Sequence, residues 1–259
     1  GMVSAVADVS VAPSGNTSVT GRIEAGGNIS LTASNGTATN ISGAVEAGGG
    51  LTLSGGTLDL GGRLASGAAL SLTNEGTALT STGEALAGST LTLNSAQLSS
   101  AGTLGANGNV SLSGTNALSN SGTVFSNTSS VSLTSTGTLT VGGFVDAATT
   151  ASLTGASVVL GANLDAGGAV SLTANSGALD VSGNINSGAS LLLRANNGAL
   201  TITAPATLFA VGGINGTAQS VNVAGDLLSP GAIGLTAQNG LTVSGNLISN
   251  EAVGLSAGT

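Results

Sequence analysis

The fold is decided by the stretch Leu164–Thr173, LDAGGAVSLT, in which an aliphatic residue, a Gly-Gly corner and a short alternating segment follow one another. Leu164 and Val170 lie six residues apart, and the same step recurs along the chain. The other twelve steps are Val3/Val9, Ile23/Ile29, Val45/Leu51, Leu64/Leu70, Ala85/Leu91, Leu104/Val110, Phe125/Val131, Val145/Ala151, Ile185/Leu191, Leu208/Ile214, Leu227/Ile233 and Leu247/Val253. Successive steps begin 19 to 23 residues apart. A fixed step inside a repeat of nearly constant length predicts a solenoid.

Each repeat divides into three short strands separated by tight corners. In the first strand, as in Val170–Thr173, aliphatic residues alternate with hydroxyl residues, which predicts one buried and one exposed face. The second strand alternates in the same way, as at Leu179/Val181. The third strand is short and ends in Ala or Ser, which predicts a narrow corner of the core. Several first strands are followed by Asn-Gly, which predicts corners of positive φ at Asn35-Gly36, Asn197-Gly198 and Asn239-Gly240.

This pattern predicts an all-β protein, a right-handed parallel β-helix of about 12 to 13 turns of about 20 residues. The 41% hydrophobic content is periodic, which argues against disorder. Gly and β-branched residues stand where a helix needs good helix formers. We interpret Gly1-Met2 as a cloning remnant, and residues 3–259 as one β-helical repeat domain that is a fragment of a longer chain.

The composition excludes several classes of function. All three basic residues are Arg (Arg22, Arg63 and Arg194), and the net charge is −8, which argues against binding nucleic acid through its phosphates. Without Cys, no disulfide or thiolate metal site can form. No run of 18 apolar residues is present, so we expect no membrane insertion of this segment as a helix.

The run Gly62–Gly114, GRLASGAALSLTNEGTALTSTGEALAGSTLTLNSAQLSSAGTLGANGNVSLSG, resembles the filamentous haemagglutinin repeats of bacterial two-partner secretion exoproteins. The resemblance covers essentially the whole chain. It implies a β-helical shaft of an adhesin or a contact-dependent growth-inhibition toxin, which an outer-membrane transporter exports to the surface of a Gram-negative cell. It also implies a host or neighbouring bacterial cell as the target. The Asn-Pro motifs of that family's secretion domain are absent, so we interpret the chain as part of the repeat shaft and not of the secretion domain.

Paired carboxylates are the residues with which a β-helix could carry enzyme chemistry. Glu24 and Glu46 share one outward slot on adjacent turns, as do Asp146 and Asp165. Stacked carboxylates would lie roughly 5 Å apart, the separation of retaining glycosidases. A solvated polar face is the favoured interpretation, because no cation or aromatic residue is in phase. Calcium is a further alternative, although the glycine-aspartate nonapeptide of calcium-binding β-rolls is absent. We therefore expect no enzyme, no catalytic residue, no cofactor and no metal.

The residue type changes along the chain at the outward position directly after the aliphatic residue of the third strand, which we call a slot. In earlier turns that outward slot holds Glu24, Glu46, Ala65, Asp146, Asp165 and Asn186. In the last turns it holds Phe209, Leu228 and Ile248, and Val124 and Phe144 lie in the slot just before the aliphatic. Large exposed apolar groups in one column predict a contact patch at Phe209, Leu228 and Ile248. The alternatives are a local slip of the register and a following domain that covers this face.

The function that the sequence favours is a rigid structural shaft that holds a distal binding or toxin element away from the cell. Two other classes stay open. One is a direct cell- or glycan-adhesion module, with the Phe209 patch as its contact. The other is a polysaccharide-degrading β-helix enzyme, which the absence of His, Lys, Tyr and Trp disfavours.

Overall fold

The computed structural model describes residues 1–34 and 36–258, which contain 33 β-strands and no helix. Equivalent strands about 20 residues apart pair in parallel, coil upon coil. The chain makes about 13 such coils, so the predicted parallel β-solenoid is confirmed. The right-handed sense of the coil stays a prediction from the chirality of parallel β connections. The coils fall into two compact units, Gly1–Ser129 and Ser130–Thr259, which are described separately.

The first unit contains seventeen strands. They are β1 (Met2–Ala5), β2 (Val9–Val11), β3 (Thr17–Val19), β4 (Arg22–Ala25), β5 (Ile29–Thr32), β6 (Ala38–Ile41), β7 (Ala44–Ala47), β8 (Leu51–Gly55), β9 (Thr57–Leu60), β10 (Arg63–Ser66), β11 (Leu70–Asn74), β12 (Ala78–Ser81), β13 (Glu84–Ala87), β14 (Leu91–Ser100), β15 (Thr103–Ala106), β16 (Val110–Asn120) and β17 (Thr123–Ser126). The third strands of its coils stack in the order β1-β4-β7-β10-β13-β15-β17. First and second strands form the other stacked faces.

The second unit contains sixteen strands. They are β18 (Val131–Ser135), β19 (Thr138–Val141), β20 (Val145–Ala147), β21 (Ala151–Gly155), β22 (Ser157–Leu160), β23 (Leu164–Ala166), β24 (Val170–Ala174), β25 (Leu179–Val181), β26 (Ile185–Ser187), β27 (Leu191–Ile202), β28 (Thr207–Ala210), β29 (Ile214–Val223), β30 (Asp226–Ser229), β31 (Ile233–Val243), β32 (Leu247–Ser249) and β33 (Val253–Ala257). Its third strands stack in the order β20-β23-β26-β28-β30-β32.

The core of each unit is built from ladders of identical or similar aliphatic residues. In the first unit, Leu31, Leu53 and Leu72 lie in register on successive coils and are at most 3% exposed. In the second unit, Leu153 and Leu172 stack in the same position and are fully buried. Full burial of one such side chain contributes about 1.5 to 3 kcal/mol. The hydroxyl residues between them face outward, as the alternation predicts.

The narrow corner at the end of the third strand is confirmed, because its Ala and Ser residues are buried from Ala25 to Ser229, while those of the first and last coils, Ala5 and Ser249, are partly exposed. Ser66 and Ser187 are the best examples of how a hydroxyl is accommodated there. The Oγ of Ser66 lies 2.8 and 2.9 Å from the carbonyl oxygens of Gly49 and Ala69, so its single hydrogen can be donated to either. The Oγ of Ser187 lies 2.9 Å from the carbonyl oxygen of Gly168. A serine therefore replaces alanine at this corner without leaving its hydroxyl unpaired.

The prediction of positive φ at the Asn-Gly corners is only partly correct. Gly36 has a φ of 85°, and its neighbour Asn35 lies outside the described residues. Gly198 and Gly240 have no positive φ, because continuous strands, β27 and β31, pass through both positions. A register shift between Ala195 and Ala199 absorbs the extra residues there as a bulge. First and second strands likewise run together in β14, β16 and β29.

The six-residue step, which predicts an inward Phe125 and an exposed Val124, is wrong in the coil that contains these two residues. Val124 is fully buried and stacks on Leu104, while Phe125 pairs with Gly105 on the outer side. The inward step here is therefore seven residues, from Val124 to Val131, because the connection is one residue longer. Phe144, which the sequence also predicts to be exposed, is 37% exposed.

The alternation can be tested at neighbouring residues of β24. Leu172 is fully buried, whereas Ser171 is partly exposed and stacks on Ser152. We expect Leu172→Asp to lower the free energy of unfolding by several kcal/mol, because an unpaired carboxylate would enter the aliphatic ladder. Ser171→Asp should change it by only about 0.5 kcal/mol. Denaturant titration of both variants measures the difference, and equal losses would contradict the inward assignment of Leu172.

Candidate functional site

The outward residue in the middle of each third strand forms a stacked column, which we call the outer column. It lies on the face opposite the buried aliphatic residues, because neighbouring residues of a strand point to opposite sides. In the first unit it consists of Ser4, Glu24, Glu46, Ala65, Leu86, Gly105 and Phe125. In the second unit it consists of Asp146, Asp165, Asn186, Phe209, Leu228 and Ile248. The outer column therefore collects the residues that the sequence singles out.

In the first unit, Glu24 and Glu46 are stacked in register as predicted. The expectation that no cation accompanies them is wrong. Arg22 forms ion pairs with both glutamates, and Arg63 donates to Glu46 at 2.8 Å. Each arginine stands two residues before the outer column on its own strand, so it projects from the same face. The slot pattern misses these pairs because the arginines lie two residues from the outer column, and their long side chains reach Glu24 along the strand and Glu46 on an adjacent coil.

The first-unit carboxylates are thus interleaved with cations rather than left as a free acidic pair. Glu46 lies between Arg22 and Arg63, and Arg63 Nε lies 3.2 Å from Glu84. The hydrogen bond to Glu46 raises the pKa of the Arg22 guanidinium further. This arrangement is an exposed ion-pair ladder, and individual exposed pairs contribute little to stability.

In the second unit, Asp146 and Asp165 are stacked in register, and among the residues that the structure describes no arginine forms an ion pair with either of them. Burial raises the pKa of Asp165, and the negative charge of Asp146 raises it further, while a hydrogen bond to Asn186 acts in the opposite direction. Two stacked like charges disfavour one another's ionised form. Within the described part of the chain, no three Asp, Glu, His or Cys side chains cluster closely enough to hold a metal ion.

The apolar part of the second-unit outer column is Phe209, Leu228 and Ile248, which are stacked on three successive coils. Their inward neighbours Leu208 and Leu227 are fully buried. Phe209 and Leu228 are partly exposed, and Ile248 is 54% exposed. The register therefore has no slip at Phe209 and Leu228. That this patch contacts a partner stays a prediction.

A second apolar segment of the outer column, in the first unit, was missed by the sequence reasoning. The Phe125 ring lies over Gly105, so closely that a Cβ on Gly105 would be 2.2 Å from the ring Cζ. Together with Leu86 on the other side of Gly105, the ring lines a shallow groove. The Asn127 amide donates to Asn107 Oδ1 at 3.0 Å beside it. The six-residue step predicts an inward Phe125, because it does not allow for the connection between Val124 and Val131, which is one residue longer.

Comparison with protein-family models, with curated proteins and with solved structures gives no significant match to this chain. In the described residues, no helix has the length and hydropathy needed to cross a membrane.

The stacked pair Asp146/Asp165 predicts a pH dependence of stability. Because the pKa of Asp165 is raised in the folded state, the folded protein holds that proton more tightly than the unfolded chain does. The free energy of unfolding therefore falls as the pH rises from about 3.9, the ordinary pKa of Asp, through the raised pKa of Asp165. We expect Asp146→Asn to lower the pKa of Asp165 and to raise stability at pH 7 by a few tenths of a kcal/mol.

Carboxyl NMR titration and denaturant unfolding from about pH 3, below the ordinary Asp pKa of about 3.9, to about pH 7 measure these two effects. Asp180→Asn is the matched control, because it removes the same charge from a residue that pairs with Val159 and Thr201. An unchanged Asp165 titration in Asp146→Asn would show that the two carboxylates do not interact.

The apolar patch can be tested by the triple variant Phe209→Ser, Leu228→Ser and Ile248→Ser. We expect the fold to remain, with a loss of about 1 kcal/mol or less at each position, because the side chains face outward. Self-association in sedimentation velocity should decrease, because the exposed apolar stripe is removed. The control is Leu208→Ser with Leu227→Ser, each of which should cost about 2 to 5 kcal/mol. Unfolding of the outward triple variant would place those residues in the core instead.

Proposed function

We propose that this chain is the structural shaft of a secreted, surface-displayed exoprotein, and that it holds a distal binding or toxin element away from the cell. One observation carries the proposal. In each unit, all strands stack in parallel on their equivalents, and the buried ladders continue from coil to coil. Such a structure places its stabilising contacts between sequence neighbours and is extended by adding coils.

The corners contribute to this role as much as the strands. Gly48 N donates to the carbonyl of Ala25 at 2.8 Å, and Gly67 N donates to that of Ala47 at the same distance. Gly88 N in turn donates to the carbonyl of Ser66 at 2.7 Å. Backbone groups at the corners are therefore bonded to the preceding coil, as those in the strands are. Bending or stretching the stack would require several such bonds to break together.

The finer parts of the proposal come from the resemblance of Gly62–Gly114 to filamentous haemagglutinin repeats. They are export by an outer-membrane two-partner secretion transporter, display on a Gram-negative cell, and a host or neighbouring bacterial cell as the target. In this proposal the segment is not an enzyme and needs no cofactor. The paired glutamates support that view, since Arg22 and Arg63 neutralise them.

A second candidate function is direct adhesion through the outer column. It is favoured by the stacked apolar side chains of Phe209, Leu228 and Ile248, which have no structural role in the core. The shaft remains the preferred function, because that patch occupies three coils whereas the stacking extends through every coil of both units.

The shaft proposal can be tested by distances between introduced cysteines, because the chain has none of its own. Ser10 and Ser111 stand at equivalent positions five coils apart in the first unit. Spin labels at these positions should lie about 24 Å apart, at about 4.8 Å per coil. A second pair at Ser30 and Ser171 spans the two units. A shaft requires narrow distance distributions for both pairs in pulsed electron paramagnetic resonance.

The first pair serves as the control, because it stays within one unit. A narrow distribution for that pair with a broad one for Ser30/Ser171 would reveal a hinge, and the rigid shaft would then be wrong. Broad distributions for both pairs would contradict the stacked coils themselves.

A further inference from the structure

The last inward residue of each second strand forms a ladder through the core, which we call the second-strand ladder. In the second unit its members are aliphatic, namely Val141, Leu160, Val181, Ile202, Val223 and Val243. In the first unit it begins with Val19, Ile41 and Leu60. The next three coils then place Ser81, Ser100 and Asn120 in the same ladder. Three consecutive polar residues thus replace the aliphatic ladder.

These three polar side chains are buried without sufficient partners. Ser81, Ser100 and Asn120 are 1%, 2% and 1% exposed. Neither serine Oγ forms a hydrogen bond with any residue that the structure describes, and neither does Asn120 Oδ1. Only the amide nitrogen of Asn120 is used, donating to the carbonyl of Gly122 at 3.0 Å. A buried polar group without a partner is less stable than the same group in water.

A nearby buried polar pair shows what a satisfied arrangement looks like. Asn74 Nδ2 donates to Ser95 Oγ at 2.8 Å, and that hydroxyl donates to the carbonyl of Gln97 at 2.7 Å. Polar residues in this core are therefore not unfavourable in themselves. The difference at Ser81 and Ser100 is that their hydroxyls have no acceptor among the described residues.

The coil that contains Ser81 is also short of apolar volume on its third strand. Its inward residue there is Ala85, whereas the coils on either side place Leu64 and Leu104 in the same position. The coil therefore loses aliphatic contact on two of its faces. In a solenoid each coil is stabilised mainly by its neighbours, so such a loss stays local.

We propose that Ser81, Ser100 and Asn120 form a weak seam, at which the first unit opens locally before the rest of it unfolds. The proposal goes beyond the shaft function, since it states where a shaft of this sequence yields. The seam coils open with a smaller free-energy difference than coils whose ladders are aliphatic, and the opened chain exposes the polar side chains to water. Local opening of this kind is a property of the folded ensemble and leaves the remaining coils paired.

Hydrogen exchange measured by mass spectrometry tests the seam in the full chain. The amides of β12 and of the final four residues of β14 and β16 should exchange at least tenfold faster than those of β9 in the same unit and those of β22 and β25 in the second unit. A tenfold difference corresponds to about 1.4 kcal/mol. The comparison is matched, because all these segments are second strands, and the inward residues of β9, β22 and β25 are aliphatic. Equal or slower exchange in the seam would overturn the proposal.

Two sets of variants separate the seam from other causes of fast exchange. Ser81→Val with Ser100→Val and Asn120→Val should slow exchange in these coils at least tenfold, because the ladder becomes aliphatic. The control is Thr80→Val with Ser99→Val and Ser119→Val, which alters the outward neighbours and should leave the rates within about twofold, a few tenths of a kcal/mol. Slowing by the control to the same degree would assign the effect to strand propensity and overturn the proposal.

The double variant Ser81→Ala and Ser100→Ala removes the hydroxyls without adding bulk, and it covers the case in which the valines do not fit. We expect exchange in the seam to be unchanged or slower. Faster exchange in the alanine variant would mean that the hydroxyls form stabilising hydrogen bonds, and the seam would then be stabilised rather than weak.

Discussion

The spacing between coils, fixed by backbone hydrogen bonds between parallel strands, is the constraint on which the rest of the structure depends. Because it is only about 4.8 Å, each residue meets its equivalent in the next coil at van der Waals distance. The corner glycines show how strict this is. A Cβ on Gly43 would lie 1.9 Å from the carbonyl oxygen of Gly21, and a Cβ on Gly62 would lie equally close to that of Gly43. Glycine is retained at this corner because the backbones approach one another there.

Because of this spacing, each side chain in a column interacts with the equivalent side chains of the adjacent coils. Leucine on leucine gives a continuous apolar core, whereas aspartate on aspartate adds to the rise that burial causes in the pKa of Asp165. Arginine alternating with glutamate gives a ladder in which Glu46 accepts from two cations. Whether a residue stabilises or destabilises the stack therefore depends on the residues at the same position in the two adjacent coils. This dependence explains why the polar residues of the first unit differ so much in their hydrogen bonding.

Most of the fold could be predicted from the sequence, because stacking in one dimension turns a spacing along the chain into a contact. The ladder through Leu153 and Leu172 and the buried corner serines follow from the alternation alone. The assignment of Val124 could not be made in this way, since one extra residue in a connection changes the step without changing the composition. The ion pairs of Arg22 and Arg63 do not follow from the slot pattern, because Arg22 reaches Glu24 along its own strand and both arginines reach Glu46 on an adjacent coil, so their geometry depends on the reach of a flexible side chain.

The positions that carry information about function are those that interrupt the repetition. A perfectly regular solenoid would have a uniform exterior and a uniform interior, and nothing would distinguish one coil from another. In this chain the outer column becomes apolar at Phe209, Leu228 and Ile248, and the core becomes polar at Ser81, Ser100 and Asn120. The apolar residues bear on what this surface can contact, and the buried polar residues bear on where we propose that the stack opens first. Because each coil depends mainly on its neighbours, both can vary without altering the coils that do not adjoin them.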